Sequence, residues 1–320
     1  MAPFHLKQFC FSVPFYALSV IIGITFSAAL KAETSPFYVG HKTCMDCHKQ
    51  ENQVWEKTKH ATSFQGIHKS PKANAILAAA GGEKNMRKNA ICTQCHFTME
   101  KADAAKPASA KSGPSCESCH GPASEWVRIH NNYGGPGIKK ETETEVHKAQ
   151  RVADAKKAGM IRPEMKYDFA ANCMECHGLT NPNVDIAILG KILEAGHPMD
   201  DDFELVRYSQ GSVRHRYNVA NNAEMTPQEL ARLFVTGQAA KLVSASTTLS
   251  KSSNATYKAA QQKQINSAAA LLSQVKSIPE AAALITKPTE ENARKLLTAI
   301  ANKDILNEVK NKLPDKSSYK

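Results

Sequence analysis

The sequence predicts a mainly α fold with little regular strand and a helical extension at its C-terminal end. Three observations lead there. A pentapeptide rich in cysteine and histidine recurs between residues 44 and 177, with helix-compatible segments between its copies. From Val219 to Lys320 neither Cys nor His occurs, and Ala, Lys, Ser, Gln and Asn dominate, with apolar residues at helical spacing. Hydrophobic residues make up 42% of the 320-residue chain but aromatics only 7%, a thin supply for a core built of side chains alone.

Residues 1–32 read as a secretory signal. Lys7 precedes an apolar, uncharged run from Phe9 to Leu30, and small residues cluster at Ser27-Ala28-Ala29 and at Ala32, where cleavage is expected. The alternative is an uncleaved anchor, because the run is long enough to span a bilayer. Either places the rest of the chain outside the cytoplasm, with a periplasm as the expected compartment. Cys10 lies in this segment and is assigned no chemistry.

Residues 33–217 form the motif-bearing domain. His48 to His60 contains neither Gly nor Pro and reads as one helix with Val54 and Trp55 on its apolar side. Asn74 to Ala80 reads as a helix stopped by Gly81-Gly82. Glu100 to Ser115 and Asn131 to Lys140 are expected to be long loops, and Ala123 to His130 is helix-compatible. Asp202 to Asn218 has helical apolar spacing at Phe203, Val206 and Val213. Strand is expected only at Val39 and in a few short pairs.

Residues 218–320 form the extension. Thr226-Pro227-Gln228-Glu229 is a capping box with Pro at the first helical position, so a helix should run from there to Gly237 or past it. Ile265, Ala269, Leu272 and Val275 keep helical spacing, as do Leu296, Leu297 and Ile300, and Pro279 and Pro288 interrupt the pattern. About three or four helices are expected.

The pentapeptide is Cys-x-x-Cys-His. It occurs as Cys44, Cys47, His48; Cys92, Cys95, His96; Cys116, Cys119, His120; and Cys173, Cys176, His177, and it holds every cysteine past Cys10. This is the attachment spacing for c-type haem. Two thiols three positions apart reach the two vinyl groups of a porphyrin, and the next residue is carried beneath the iron as its proximal ligand. Zinc knuckles or redox dithiols would leave the repeated His without a task. Four covalently bound haems c are therefore expected, and they would supply much of the buried area between Gly40 and Tyr217. That region is expected not to fold without them.

The formal charge of +11 is basic. Haem propionates would offset much of it, so no nucleic-acid role is read from the charge, and a lysine rim that docks an acidic redox partner is the better use of the excess. A membrane enters only if the leader stays uncleaved. For the sixth iron positions the chain past its leader offers His41, His60, His68, His130, His147, His197 and His215. On one helix, His48 and His60 would stand about 18 Å apart along the axis. They therefore cannot hold one iron, and ligands must cross between motifs.

The run Tyr38-VGHKTCMDCHKQENQVWEKTKH-Ala61, the stretch GPSCESCHGP with His130 behind it, and FAANCMECH resemble the tetrahaem cytochrome c-554 family, electron acceptors of hydroxylamine oxidoreductase. The likeness extends from about Phe37 to Tyr217. It implies three haems with two histidine ligands and a second haem, on His96, with an open face. It implies His60 opposite His120 on the third haem, His130 opposite His48 on the first, and either His215 or His197 opposite His177 on the fourth. His215 is the choice, since His197 stands before Pro198 in an apparent turn. His68 or His147 could close the second site; if neither does, a small ligand such as nitric oxide could bind there. Thr180, Asn181, Pro182 and Asn183 follow the fourth motif where the family has its distal-pocket loop.

The reading is a periplasmic tetrahaem c-type cytochrome that carries electrons between redox partners, with no catalytic residue assigned and low to middling potentials for paired histidine ligands. The alternative is an enzyme reducing or oxidising a small nitrogen or sulfur oxide at an open second haem. A third reading is an assembly or anchor protein that docks through the extension.

Overall fold

Helices before residue 166 are mostly short, because the motifs and their turns interrupt them. A computed structural model describes Met1 and residues 35–199, 203–215 and 223–320. The leader read at 1–32, with Cys10, and the boundary at 217/218 lie outside the described residues. Along the chain run α1 (His41–Met45), α2 (Lys49–Trp55), α3 (Lys59–Gly66), α4 (Ala73–Ala80) and α5 (Thr93–His96). A two-stranded antiparallel hairpin follows, β1 (Thr98–Glu100) with β2 (Ser109–Ser112). Then come α6 (Cys116–His120), α7 (Glu145–Lys157), α8 (Lys166–His177), α9 (Ile186–Glu194) and α10 (Leu205–Ser209). The last part holds α11 (Pro227–Leu249), α12 (Ala255–Leu272), α13 (Pro279–Thr286), α14 (Glu290–Ile300) and α15 (Leu306–Val309).

The mainly α expectation holds, and several details differ from it. The single helix expected from His48 to His60 is two. Thr58 ends α2 by donating to the Trp55 carbonyl at 2.7 Å and caps α3 by accepting from Ala61 N at 3.2 Å. Ala123 to His130 is a chain of turns rather than a helix. The loop expected from Glu100 contains the second strand of the hairpin, and Tyr38 adds an isolated parallel bridge to Glu100. The helix ending at Ala80 does stop on Gly81, whose φ of 70° lies in the left-handed region. The Thr226–Glu229 capping box is formed, and α11 runs on to Leu249. Five helices, rather than three or four, follow residue 223.

Pro36–Lys320 pack as one unit. Every residue of α11 from Leu233 to Val243 is buried, as expected for a helix with neighbours on all sides. It packs against α8, α10, α12, α14 and α15. Leu205, Leu242, Leu272, Leu284 and Leu296 form the centre of this core with Tyr167, Ala170 and Met174 of α8. A second cluster joins α4 (Ile76, Ala80), α9 (Leu189, Ile192) and Tyr257 of α12. Only a small third cluster, Ala123, Trp126 and Ala155, lies under the third motif and α7. Among the described residues, no helix is long and apolar enough to cross a membrane.

Candidate functional site

Each motif is folded as a helical turn. His48 N donates to the Cys44 carbonyl at 2.9 Å and His96 N to the Cys92 carbonyl at 3.0 Å. The third motif is α6, and the fourth is the last turn of α8. This puts the first Cys and the His of each motif on one face, four residues apart. The motifs also meet one another. The elements that carry them pack on one another: α1 on α6, α6 on α8, and α8 on α5. None of the eight motif cysteines is in a disulfide. The first motif therefore touches the third, the third the fourth, and the fourth the second.

Each motif histidine faces a second imidazole. Ring centroids are 6.3 Å apart for His48 and His130, 5.8 Å for His96 and His197, 6.2 Å for His120 and His215, and 6.1 Å for His177 and His60. The pairing departs from what the resemblance implied. His60 stands by His177 rather than His120, and His215 by His120 rather than His177. Two contacts hold the segments that carry His60 and His215. Gly113, without a side chain, packs directly on the His60 carbonyl. The chain end holds the His215 segment, with Ser212 N donating to Lys320 O at 2.7 Å and Lys320 N to Arg207 O at 3.0 Å. His197, set aside as a turn residue, is opposite His96.

Hydrogen bonds fix how these rings point. The Nδ1 atoms of His120, His130, His197 and His215 lie 2.9, 2.7, 2.7 and 2.8 Å from the carbonyl oxygens of Ile161, Val127, Pro198 and Val213. A carbonyl only accepts, so Nδ1 carries the proton and Nε2 the lone pair. Burial lowers His60 and His96 to about 4, helped by His177 for His60 and by His197 and His177 for His96. Burial also lowers His120 and His130. Neutral imidazoles are the form that ligates a metal.

These residues fit haem c. Two metal–nitrogen bonds of about 2.0–2.1 Å and two half-widths of an imidazole ring place paired rings roughly 6 Å apart across one metal, the spacing all four pairs show. Among the described residues, no group of three or more His, Cys, Asp or Glu is arranged to hold a bare metal ion. The donors converge in twos.

The other candidates fall elsewhere. His68 is exposed next to α3. His147, on α7, is hydrogen-bonded to Glu143 at 2.7 Å and lines a cleft of about 840 Å³ with Arg128 and Arg151. His41 packs at a tilt against Trp55, ring centroids 4.6 Å apart. After the fourth motif, Thr180 bonds back to the Met174 carbonyl at 2.9 Å, and Asn181 reaches the carbonyl of Gln94, inside the second motif, at 3.5 Å.

Several supporting residues had no sequence signal. Glu117, inside the third motif, accepts from Val39 N, Gly40 N and Ala123 N. Phe203 stacks on His177 at 4.5 Å, and its carbonyl accepts from the buried Lys241 of α11 at 2.5 Å. Tyr257 and Gln261 of α12 donate to the Leu179 and Gly178 carbonyls at 2.6 and 2.9 Å, just past the fourth motif. The helices after residue 223 thus support the segments around His177 and His215.

Residues 43–121, which contain the first three motifs, match the family described as cytochrome c554 and c-prime. The chain is also 27% identical over 169 residues to cytochrome c-554 of Nitrosomonas europaea, a match covering 50% of this chain and 64% of that protein. No solved structure matches the chain. The chain is thus similar, over part of its length, to cytochromes c-554.

Proposed function

We propose that the chain is a periplasmic carrier with four covalently bound haems, passing electrons between a donor and an acceptor protein. One observation carries this reading: the elements bearing the four motifs pack in a continuous series, first to third to fourth to second, with every motif histidine facing another imidazole. Haem supplies a one-electron ferric/ferrous couple, which the protein tunes through axial ligands, burial and hydrogen bonds. The residues around it do the positioning. Carbonyl acceptors hold four of the imidazoles in one tautomer, Phe203 packs on His177, and Glu117 ties the first motif to the third. Bringing the motifs into contact shortens each hop.

Intact-mass analysis of the protein from a periplasmic fraction tests the proposal. The expected mass is the mature chain plus about four haem equivalents. Fewer than four, or the protein found only in the cytoplasm, would overturn it. Reduction by a donor and reoxidation by an acceptor, followed at the haem absorbance, tests the transfer.

A further inference from the structure

We propose that His197 is the second axial ligand of the haem held by Cys92, Cys95 and His96, so that this site is closed to small ligands and serves as one more relay. The proposal rests on the four-haem reading. The His96 and His197 rings are 5.8 Å apart, close to the 6.1–6.3 Å of the other three pairs. The Pro198 carbonyl, 2.7 Å from Nδ1 of His197, keeps the proton there and the lone pair on Nε2, as a ligand requires.

His197 is also fixed in place by its backbone. Helix α9 ends at Glu194 with Ala195 as C-cap, and Gly196 follows with φ 92°. Gly196 N donates to the Leu193 carbonyl and His197 N to the Ile192 carbonyl, both at 2.9 Å. This is the Schellman closure, which needs glycine at the left-handed position and sets the direction of the next residue. That next residue is His197. Helix α9 is itself anchored, with Leu189 and Ile192 buried against Ile76 and Ala80 of α4 and against Tyr257 of α12. The ligand therefore projects from a packed helix end rather than from a loose loop. His68 and His147, the other residues able to close the site, are respectively exposed and bonded to Glu143.

Electron paramagnetic resonance of the oxidised holoprotein tests this directly. Four low-spin irons are expected, with no stoichiometric high-spin signal and no carbon monoxide binding after reduction. In His197→Gly, about one iron per chain becomes high-spin and about one equivalent of carbon monoxide binds, while the other three irons keep their signals. Added imidazole should restore the low-spin form and block carbon monoxide, which mere local unfolding would not allow. His68→Ala and His147→Ala should change neither readout. A high-spin iron in the unaltered protein, or an unchanged spectrum in His197→Gly, overturns the proposal. A mass with fewer than four haems would instead defeat the reading beneath it.

Discussion

Replacing Glu117 tests how the motif region is held together. Its carboxylate is 1% exposed. Oε1 accepts from Val39 N at 2.9 Å and Ala123 N at 2.7 Å, and Oε2 accepts from Gly40 N at 2.6 Å. These bonds tie the segment entering α1, and with it Cys44, to α6 and the turn beyond it. A buried N–H stripped of its acceptor costs about 1–3 kcal/mol, so losing three would cost up to about 9 kcal/mol. Two effects return part of that. Burial pushes the Glu117 carboxyl up, so removing the charge relieves desolvation, and water can enter the space the side chain leaves. Glu117→Ala should therefore cost about 3–4 kcal/mol. Glu117→Gln keeps the oxygen that serves Val39 and Ala123 but turns an amide N–H₂ toward Gly40 N, losing one bond, for about 1–3 kcal/mol. Guanidinium unfolding of the haem-loaded protein, followed by far-ultraviolet circular dichroism, measures both. A loss below about 1 kcal/mol in the alanine variant, or equal losses in the two variants, would refute the argument that the acceptor pattern matters.

Tyr257→Phe removes the buried hydroxyl that holds the Leu179 carbonyl; thermal unfolding should show a loss of about 1–2 kcal/mol, and combining it with Gln261→Ala should cost less than the sum, because the two side chains hold adjacent carbonyls. Gly113→Ala would drive a Cβ into the His60 carbonyl, which should cost about 1–3 kcal/mol and alter the paramagnetic signal of one low-spin iron; an unchanged spectrum and melting curve would show that α3 is not so tightly placed. Glu143 is held at about 2, below its ordinary 4.5, chiefly by its hydrogen bond to Arg151 and then by His147, against burial. Its folded value is depressed, so its contribution is full above about 4.5 and is lost as pH falls toward 2. The melting difference between the native protein and Glu143→Gln should therefore narrow steadily below about pH 5; a constant difference across that range would contradict the assignment.

Local features were legible in the sequence where one short stretch decides them. The motifs, the Thr226–Glu229 capping box and the stop at Gly81 depend on residues within five positions of each other. Helix continuity was less legible, because Thr58 can serve as a helix residue or as a cap and only tertiary contact decides between them. A few short strand pairs were expected, but the place of this hairpin was not legible for a similar reason: β1 and β2 are three and four residues long and carry no alternating apolar face. Histidine pairing was the least legible. The exclusion of His48 with His60 assumed one continuous helix, which is broken at Thr58, and nothing local tells His60 from His215 as the partner of His177. The contacts at these segments are long-range, Gly113 behind the His60 backbone and Lys320 behind the His215 segment. For His197 a signal did exist. Gly196 after the apolar run of α9 marks a helix end that fixes the direction of the residue following it.

The distribution of core explains why the helices after residue 223 matter to a region whose motifs all lie before 178. Beside the first and third motifs, the buried side chains of the small cluster are Ala123, Trp126 and Ala155, too little apolar area to hold several helical turns in register. The fourth motif is different. It ends α8, whose Tyr167, Ala170 and Met174 belong to the large core built around α11. Lys241 of that helix reaches the Phe203 carbonyl, Phe203 packs on His177, and Tyr257 and Gln261 of α12 fix the carbonyls after it. Side-chain packing can thus position His177 and, through α9, His197, whereas the first and third motifs are tied by Glu117 and, on the proposed four-haem reading, by their haems. The large core and the motif region meet at α8, where the third motif contacts the fourth.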